Sequence, residues 1–187
     1  MKQAGFFVCE PGIVMSNRIY FITGGSRSGK SAFAEKLANN IAGRRAYLAT
    51  AQALDAEMVA RIEKHRRDRG ATWDTYEEPL AVAELLKKLS STYEIVLLDC
   101  LTLWLSNVMA HRSGDGAVTS HSENLVTAMK SFGGSLIVVS NEVGLGIVPD
   151  NPLARQFRDC AGMLNQKVAL SADEVYFTVS GIPMRMK

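Results

Sequence analysis

Residues 24–31 read Gly24-Gly25-Ser26-Arg27-Ser28-Gly29-Lys30-Ser31, which fits the phosphate-binding pattern G-x-x-x-x-G-K-[ST], the P-loop. The glycines permit turns in which a Cβ atom would clash, and the turned backbone points its N–H groups at a phosphate. The positive end of a following helix strengthens this anion site. Lys30 then reaches the β- and γ-phosphates, and the Ser31 hydroxyl ligates Mg²⁺. All eight residues are therefore predicted to bind nucleotide, with Lys30 catalytic and Ser31 a metal ligand.

The neighbouring sequence favours this interpretation over a chance Gly/Ser turn that happens to precede a lysine. Residues 19–23 form a short apolar run that suits a buried strand. After the motif, Phe33 and Leu37 stand four apart, on one face of a predicted helix. A strand, a glycine-rich loop and a helix in this order are what the motif requires.

Strands and helices alternate along the rest of the chain. Apolar or alternating runs predict strands at 46–50, 72–77, 94–99, 135–140 and 174–180, with 72–77 at a sheet edge. Helical patterns occur at 54–68, 80–89, 101–109 and 123–132, and a long helix follows Asn151, with Pro152 at its first position. The apolar stripe of this long helix is expected to be Leu153, Phe157, Ala161, Leu164 and Val168. The Ser- and Gly-rich residues 111–121 are expected to form a mobile loop.

This alternation predicts the fold class and the domain organisation. Continuously apolar strands that alternate with helices indicate an α/β, P-loop NTPase-type three-layer fold with a mostly parallel, RecA-like sheet. Residues 17–187 are interpreted as a single domain, because they contain no linker, repeat or low-complexity segment. For residues 1–16 there are two interpretations. Either they form a disordered extension, or the true start of the protein is Met15.

Composition argues against several classes of protein. Apolar residues make up 47% of the 187, which indicates a folded chain. The net charge is only +2 and the basic residues are scattered, which argues against nucleic acid as the main partner. No apolar run approaches the ~20 residues of a membrane span. The three cysteines lie far apart, without disulfide or zinc spacing, and favour a reducing cytoplasm.

Polar residues follow several predicted strands, at the edge where open α/β sheets bind ligands. Asp99 ends an apolar run and is predicted to hold Mg²⁺ beside Ser31, directly or through water. The alternative is a strand-end aspartate that caps a turn. Thr50 and Ala51 follow the second strand. Residues 141–146 either line a corrinoid or nucleotide pocket or form a conformationally demanding turn, and the sequence leaves both open.

His65 lies on the predicted helix 54–68, on the same face as Leu54, Met58 and Ile62 at ~100° per residue. Basic residues surround it, namely Arg61, Lys64, Arg66, Arg67 and Arg69. A histidine on an apolar face is usually a core residue, and a basic run is often a solvated helix end. Neighbouring positive charge, however, favours a neutral, nucleophilic imidazole, and arginines suit a triphosphate. The residues by themselves leave these alternatives open.

Several blocks of the chain resemble the bifunctional adenosylcobinamide kinase/adenosylcobinamide-phosphate guanylyltransferases. The P-loop is shared by many enzymes, but the blocks at 49–58 and 61–66 are more specific. The most distinctive block is Asn141-Glu-Val-Gly-Leu-Gly-Ile-Val-Pro149, followed by residues 151–159. The likeness continues through Ala161-Gly162, Asn165-Gln166, 172–175 and Ser180-Gly181, and covers the chain from about Arg18 to its end.

The resemblance implies two reactions in the assembly of the cobalamin nucleotide loop. First, ATP or GTP phosphorylates the aminopropanol hydroxyl of adenosylcobinamide. Second, GTP donates GMP to a histidine that matches His65, and adenosylcobinamide phosphate then takes the GMP to give adenosylcobinamide-GDP. A phosphoramidate at histidine is labile, which suits a transferable group.

The resemblance also implies contacts and partners. Its guanine-nucleotide contacts map to the P-loop and to Thr50, Ala51, Arg66, Arg67, Asp68, Arg69, Glu77 and Asp99. A carboxylate such as Glu77 is able to accept hydrogen bonds from guanine, although it is alternatively an ordinary exposed strand residue. Some relatives carry Glu at the position of Asp99, which changes the reach of the carboxylate. Mg²⁺ as cofactor and a homotrimer are implied as well.

Two rival functions follow from the same residues. A single-function P-loop small-molecule kinase needs the P-loop and Asp99 but no acceptor histidine. A nucleotide-dependent switch or assembly ATPase would bind a macromolecule and turn over no corrinoid, and the absence of a basic face in the sequence argues against it.

Overall fold

The strand and the helix on either side of the P-loop form where the sequence predicts them. The computed structural model describes residues 17–52, 72–111 and 116–187. Strand β1 (Ile19–Gly24) is largely buried, and helix α1 (Lys30–Asn39) begins directly after Gly29. The loop therefore joins the carboxyl end of a buried strand to the amino end of a helix.

Further strands complete one sheet: β2 (Arg45–Ala49), β3 (Trp73–Glu77), β4 (Ile95–Asp99), β5 (Ser135–Val139), β6 (Glu174–Val179) and β7 (Ile182–Arg185). Within the described residues the sheet has seven strands in the order β3-β2-β4-β5-β1-β6-β7. Neighbouring strands from β3 to β6 run parallel, and β7 returns antiparallel to β6. Because parallel strands end at the same edge, the residues after β1, β2 and β4 meet there.

Helices cover both faces of the sheet. On one face lie α2 (Val82–Leu89), α3 (Leu101–His111), α4 (Ala117–Lys130) and α5 (Pro152–Ser171), whose buried side chains form a core with Phe21 and Leu48. On the other face, α1 packs Ala34 and Leu37 against Tyr20 and Ile22. The predicted three-layer α/β fold with a mostly parallel sheet is confirmed. None of the helices in the described ranges is long and apolar enough to cross a bilayer.

Two expectations from the sequence are wrong, and one strand was not predicted. Residues 111–121 are not one loop, because α3 reaches His111 and α4 already begins at Ala117. The Ser- and Gly-rich composition predicted a loop, but Ser122 is buried within α4, and its hydroxyl donates to the carbonyl of Val118 at 2.7 Å. Helix α4 also packs against α2 and α5. Leu153 is exposed, because the first turn of α5 contributes nothing to the core. The strand β7 was not predicted.

Other predictions at the level of elements are confirmed. The strand at 72–77 is found as β3, at the edge of the sheet. Asn151 caps α5, and its side chain accepts hydrogen bonds from the N–H groups of Leu153 and Ala154, with Pro152 directly after the cap. The predicted helix at 54–68 and residues 1–16 lie outside the described residues.

Candidate active site

Two glycines of the P-loop occupy places that no other residue fits. Gly24 has φ +148°, and a Cβ atom there would stand 2.3 Å from the carbonyl oxygen of Thr178 on β6. Gly29 has φ +94°, and its Cβ would stand 3.0 Å from the Cα of Gly181, in the turn between β6 and β7. Both glycines therefore let the loop pack against the backbone beside β1.

The amino end of α1 is left open toward the loop. Gly29 at the N-cap offers no side chain, the first turn carries no acidic residue, and no side chain of the described chain caps it. The first N–H groups of a helix need partners from outside the helix, and the helix dipole adds positive potential. A phosphate is the ligand that supplies both the acceptors and the negative charge.

The Lys30 side chain is buried beneath this loop. It is 7% exposed, and its Nζ donates to the carbonyl oxygen of Gly25 at 2.6 Å. A buried ammonium group is costly unless it is paired, so the contact holds the cation inside the loop. A bound phosphate would compete with the Gly25 carbonyl for the same cation.

The rest of the loop differs in exposure. Ser26 and Arg27 are exposed, and Arg27 adopts a left-handed backbone with φ 55°. The hydroxyl of Ser28, by contrast, is buried and has no hydrogen-bond partner among the described residues. Its backbone carbonyl accepts from the N–H of Gly181 at 2.8 Å. The turn after β6 is therefore hydrogen-bonded to the P-loop.

Asp99, at the end of β4, lies against the start of α1. Its Oδ2 accepts from the Ser31 hydroxyl at 3.2 Å and from the Tyr47 hydroxyl at 2.9 Å. The structure thus brings together the two residues that the sequence predicts as metal ligands. The shared oxygen and the half-buried position hold the carboxylate in one place at the rim of the loop.

Tyr47 is a site residue that sequence reasoning missed. Parallel pairing sets Ala49 of β2 beside Asp99 and Tyr47 beside Leu97 of β4. Tyr47 therefore points to the same face as Asp99, two residues earlier along its own strand, and its long ring spans that offset. Only the neighbour relation between β2 and β4 reveals this, and the chain order of the strands does not show it.

Thr50 holds the backbone at Asp99 and Cys100 through hydrogen bonds. Its side chain is fully buried, and its hydroxyl both donates to the carbonyl of Cys100 at 2.7 Å and accepts from the Cys100 N–H at 2.9 Å. Its own N–H donates to the carbonyl of Asp99 at 3.1 Å. Thr50 thus fixes the backbone that carries Asp99, and its nucleotide contact stays a prediction.

Two further predicted contacts lie along the same edge. Ala51 is half-buried directly after Thr50. Glu77, at the end of β3, is exposed and level with Ala49 and Asp99 in the sheet. It stands two strand spacings, roughly 10 Å, from Asp99. His65, Arg66, Arg67, Asp68 and Arg69 lie outside the described residues.

The pKa values of both described cysteine thiols are raised. Burial, and then the charge of Asp99, raises the pKa of the Cys100 thiol to about 11. Burial also raises the pKa of the Cys160 thiol. Because the thiolate is the reactive form, the raised pKa values disfavour both thiols as nucleophiles at neutral pH.

Two solved structures resemble the fold at low identity. They are the flagellar accessory protein FlaH from Methanocaldococcus jannaschii (TM-score 0.47, 13% identity, 92% of this chain and 79% of that one) and the KaiC-like protein PH0186 from Pyrococcus horikoshii (TM-score 0.49, 10% identity, 87% and 71%). Neither likeness bears on function.

Sequence comparison is far more specific. The chain is 45% identical to the "Bifunctional adenosylcobalamin biosynthesis protein CobP" of Pseudomonas aeruginosa, over 89% of this chain and 95% of the relative. It is 40% identical to the "Bifunctional adenosylcobalamin biosynthesis protein CobU" of Escherichia coli, over 89% and 98%. The family model described as "Cobinamide kinase / cobinamide phosphate guanyltransferase" matches residues 20–186. The chain belongs to this family.

Proposed function

We propose that this chain phosphorylates the aminopropanol hydroxyl of adenosylcobinamide with ATP or GTP, and then uses GTP to form adenosylcobinamide-GDP. Family membership supports the pair of activities, because both stand in the family's description. The observation that carries the proposal is the contact of Ser31 with Asp99 beside the open end of α1. It combines a phosphate cradle with a carboxylate and a hydroxyl, the groups that phosphoryl transfer from a metal-bound nucleotide requires.

In the kinase step, the substrate oxygen attacks the γ-phosphorus while the bond to the β-phosphate oxygen breaks, and the hydroxyl proton is released. Negative charge shifts onto the bridging and β-phosphate oxygens. With nucleotide bound in the loop, the N–H groups at the start of α1 and the Lys30 ammonium would face these oxygens and stabilise the charge as it moves. Residues 17–187 provide this site as a single domain.

Ser31 and Asp99 fit Mg²⁺. This ion keeps several waters and binds one or two protein oxygens together with substrate phosphates. No group of three or more His, Cys, Asp or Glu side chains comes together in the described ranges. Waters and nucleotide phosphates would supply the other ligands. When bound, the ion neutralises phosphate charge. The Tyr47 hydroxyl leaves the other oxygen of Asp99 for the ion or its water.

The guanylyl step is proposed to use His65. A nitrogen of the neutral imidazole attacks the α-phosphorus of GTP, a P–N bond forms, and the bond to pyrophosphate breaks. A phosphate oxygen of adenosylcobinamide phosphate then attacks the same phosphorus, and the P–N bond breaks. The neighbouring cations of the sequence support the neutral ring that this step needs.

The same proposal includes further nucleotide contacts, the cellular location and the oligomeric state. The arginines Arg66, Arg67 and Arg69, with Asp68, bind the triphosphate or ribose, and Glu77 reads guanine about two strand spacings from Asp99. The enzyme works in the cytoplasm on small-molecule substrates, not on nucleic acid, and assembles as a homotrimer.

Product analysis tests the proposal. Purified protein is incubated with adenosylcobinamide and Mg²⁺, first with ATP and then with GTP. The corrinoid products are separated, and their masses are measured by mass spectrometry. The expected sequence is adenosylcobinamide phosphate, followed by adenosylcobinamide-GDP when GTP is present. Formation of the phosphate alone would identify a single-function kinase. No corrinoid product, together with nucleotide-dependent binding to a macromolecule, would identify a switch or assembly ATPase.

A further inference from the structure

A cavity of about 570 Å³ lies between helix α5 and the segment that follows β5. The segment contributes Gly144, Gly146 and Val148 to its wall, and α5 contributes Arg158, Gly162 and Met163. None of these residues belongs to the P-loop or contacts Asp99. The cavity is therefore separate from the nucleotide site described above.

Several large apolar side chains border this cavity. Leu145 and Ile147 alternate with the lining glycines and are 81% and 97% exposed. Val148 and Met163, in the wall, are also more than half exposed. Adjacent large apolar side chains in contact with water mark a surface that is covered by a ligand or a partner.

The topology places this cavity next to the phosphate site. Strand β5 lies between β1, which leads into the P-loop, and β4, which ends at Asp99. The segment after β5 therefore leaves the sheet between the two halves of the site. Its Glu142 N–H donates to the carbonyl of Gly24 at 2.9 Å, which ties the segment to the first residue of the loop.

Helix α5, which forms the other side of the cavity, is also bonded to the segment that follows β5. Asn165, one residue before the lining Gln166, donates from its side-chain nitrogen to the carbonyl of Asn141 at 3.2 Å. This hydrogen bond ties α5 to the segment that follows β5.

We infer that this cavity binds the corrin macrocycle of adenosylcobinamide and presents its side-chain hydroxyl to the γ-phosphate. This inference rests on the proposed function. A corrin has a broad apolar face and a rim of amides, and the cavity matches both features. Val148, Met163 and the glycine backbone pack against the face, while Arg158, Asp159 and Gln166 donate to or accept from the rim amides.

The glycine at 162 makes a sharp test possible. A Cβ atom built at Gly162 meets nothing within 4 Å, and the residue lies inside α5 with an ordinary helical backbone. Gly162→Leu therefore adds an apolar side chain at the cavity wall, and its Cβ meets no neighbour and no backbone strain. Val148→Asp is a second variant, which places a charge in the apolar wall at an exposed position. Ser120→Leu, on the exposed face of α4, is the matched control for an added leucine.

The measurement is steady-state kinase activity with adenosylcobinamide and GTP varied separately, with the mass of the assembly recorded for every variant. In Gly162→Leu and Val148→Asp we expect the KM for adenosylcobinamide to rise roughly tenfold or more, because even one methylene in a pocket changes discrimination by that amount. The KM for GTP should stay within about twofold of wild type, and Ser120→Leu should match wild type in both constants.

Each other outcome overturns a specific statement. If wild type forms no adenosylcobinamide phosphate, the proposed function fails. If wild type does, but both cavity variants keep the wild-type KM for adenosylcobinamide, the cavity is not the corrin site. If the variants change the mass of the assembly while that KM is unaltered, the apolar surface is an interface between copies of this chain.

Discussion

At the scale of single residues, the site depends on a few side chains held by contacts that the chain itself supplies. Lys30 is held by a carbonyl of its own loop, and Asp99 by the hydroxyls of Ser31 and Tyr47. The motif predicts Lys30 and Ser31 from the sequence, because their spacing within the loop is local. Asp99 was predicted separately, because it ends an apolar strand run in a chain that carries a P-loop. Tyr47 could not be predicted, because its role arises only from the pairing of β2 with β4.

Replacing Lys30 should damage both reactions. Lys30→Ala removes the buried cation that faces the transferred phosphate, and we expect kcat/KM for phosphate and GMP transfer to fall by about 100-fold or more. The control is Lys36→Ala, which removes an exposed lysine from the same helix. Equal losses in the two variants would show that charge on α1, and not the P-loop lysine, is what matters.

Replacing Tyr47 should weaken the response to Mg²⁺. Tyr47→Phe removes one hydrogen bond to Asp99 but keeps the ring in the core, so the carboxylate is less well positioned. We expect the Mg²⁺ concentration for half-maximal kinase activity to rise several-fold, on the order of one lost hydrogen bond to a charged group. A purely structural role would lower the free energy of unfolding and leave the Mg²⁺ titration unchanged.

The matched control for Tyr47 is Tyr76→Phe on the neighbouring strand β3. Tyr76 shares a hydrogen bond with Tyr93 at 2.8 Å, away from Asp99. The Tyr76→Phe variant should lose one hydrogen bond, while its Mg²⁺ titration should stay the same as that of wild type.

At the scale of elements, agreement between sequence and structure follows the kind of signal. The P-loop strand and helix, the edge strand β3 and the capped start of α5 were predicted, because apolar periodicity and capping residues are local. The start of α4 was missed, because its Ser- and Gly-rich sequence is overridden by packing on α2 and α5. Strand β7 was missed because it is only four residues long and contains Pro183, which argues against a strand.

The hairpin of β6 and β7 has a functional consequence. Its turn places Gly181 at φ +82°, where the N–H donates to the carbonyl of Ser28 in the P-loop. Gly181→Ala puts a side chain in a left-handed conformation, which costs roughly 1–2 kcal/mol. We expect a comparable loss in the free energy of unfolding and a weaker affinity for GTP, measured by denaturant titration and calorimetry.

Relief of this strain can also be tested. Gly181→Asn should keep more affinity for GTP than Gly181→Ala, because asparagine tolerates the left-handed region better. Equal affinities in wild type and Gly181→Ala would mean that the turn does not support the loop.

At the scale of the whole molecule, the order of strands brings the predicted functions to one edge. The P-loop after β1, Asp99 after β4 and Glu77 after β3 end on the same side of the sheet, with β5 between the first two. Alternation of apolar strands and helices predicts such an edge from the sequence. It does not predict which strands become neighbours, so the sequence left open whether residues 141–146 line a pocket or only form a demanding turn.

The central claim is that one protein carries out both transfers, with GMP held on His65 between them. The most direct measurement incubates the protein with Mg²⁺ and GTP labelled at the α-phosphate, then tests for acid-labile, base-stable label on the chain. We expect label on wild type and none on His65→Ala, which should keep much of its kinase activity. A His65→Ala protein that still takes up label, or forms adenosylcobinamide-GDP at the wild-type rate, would contradict the claim.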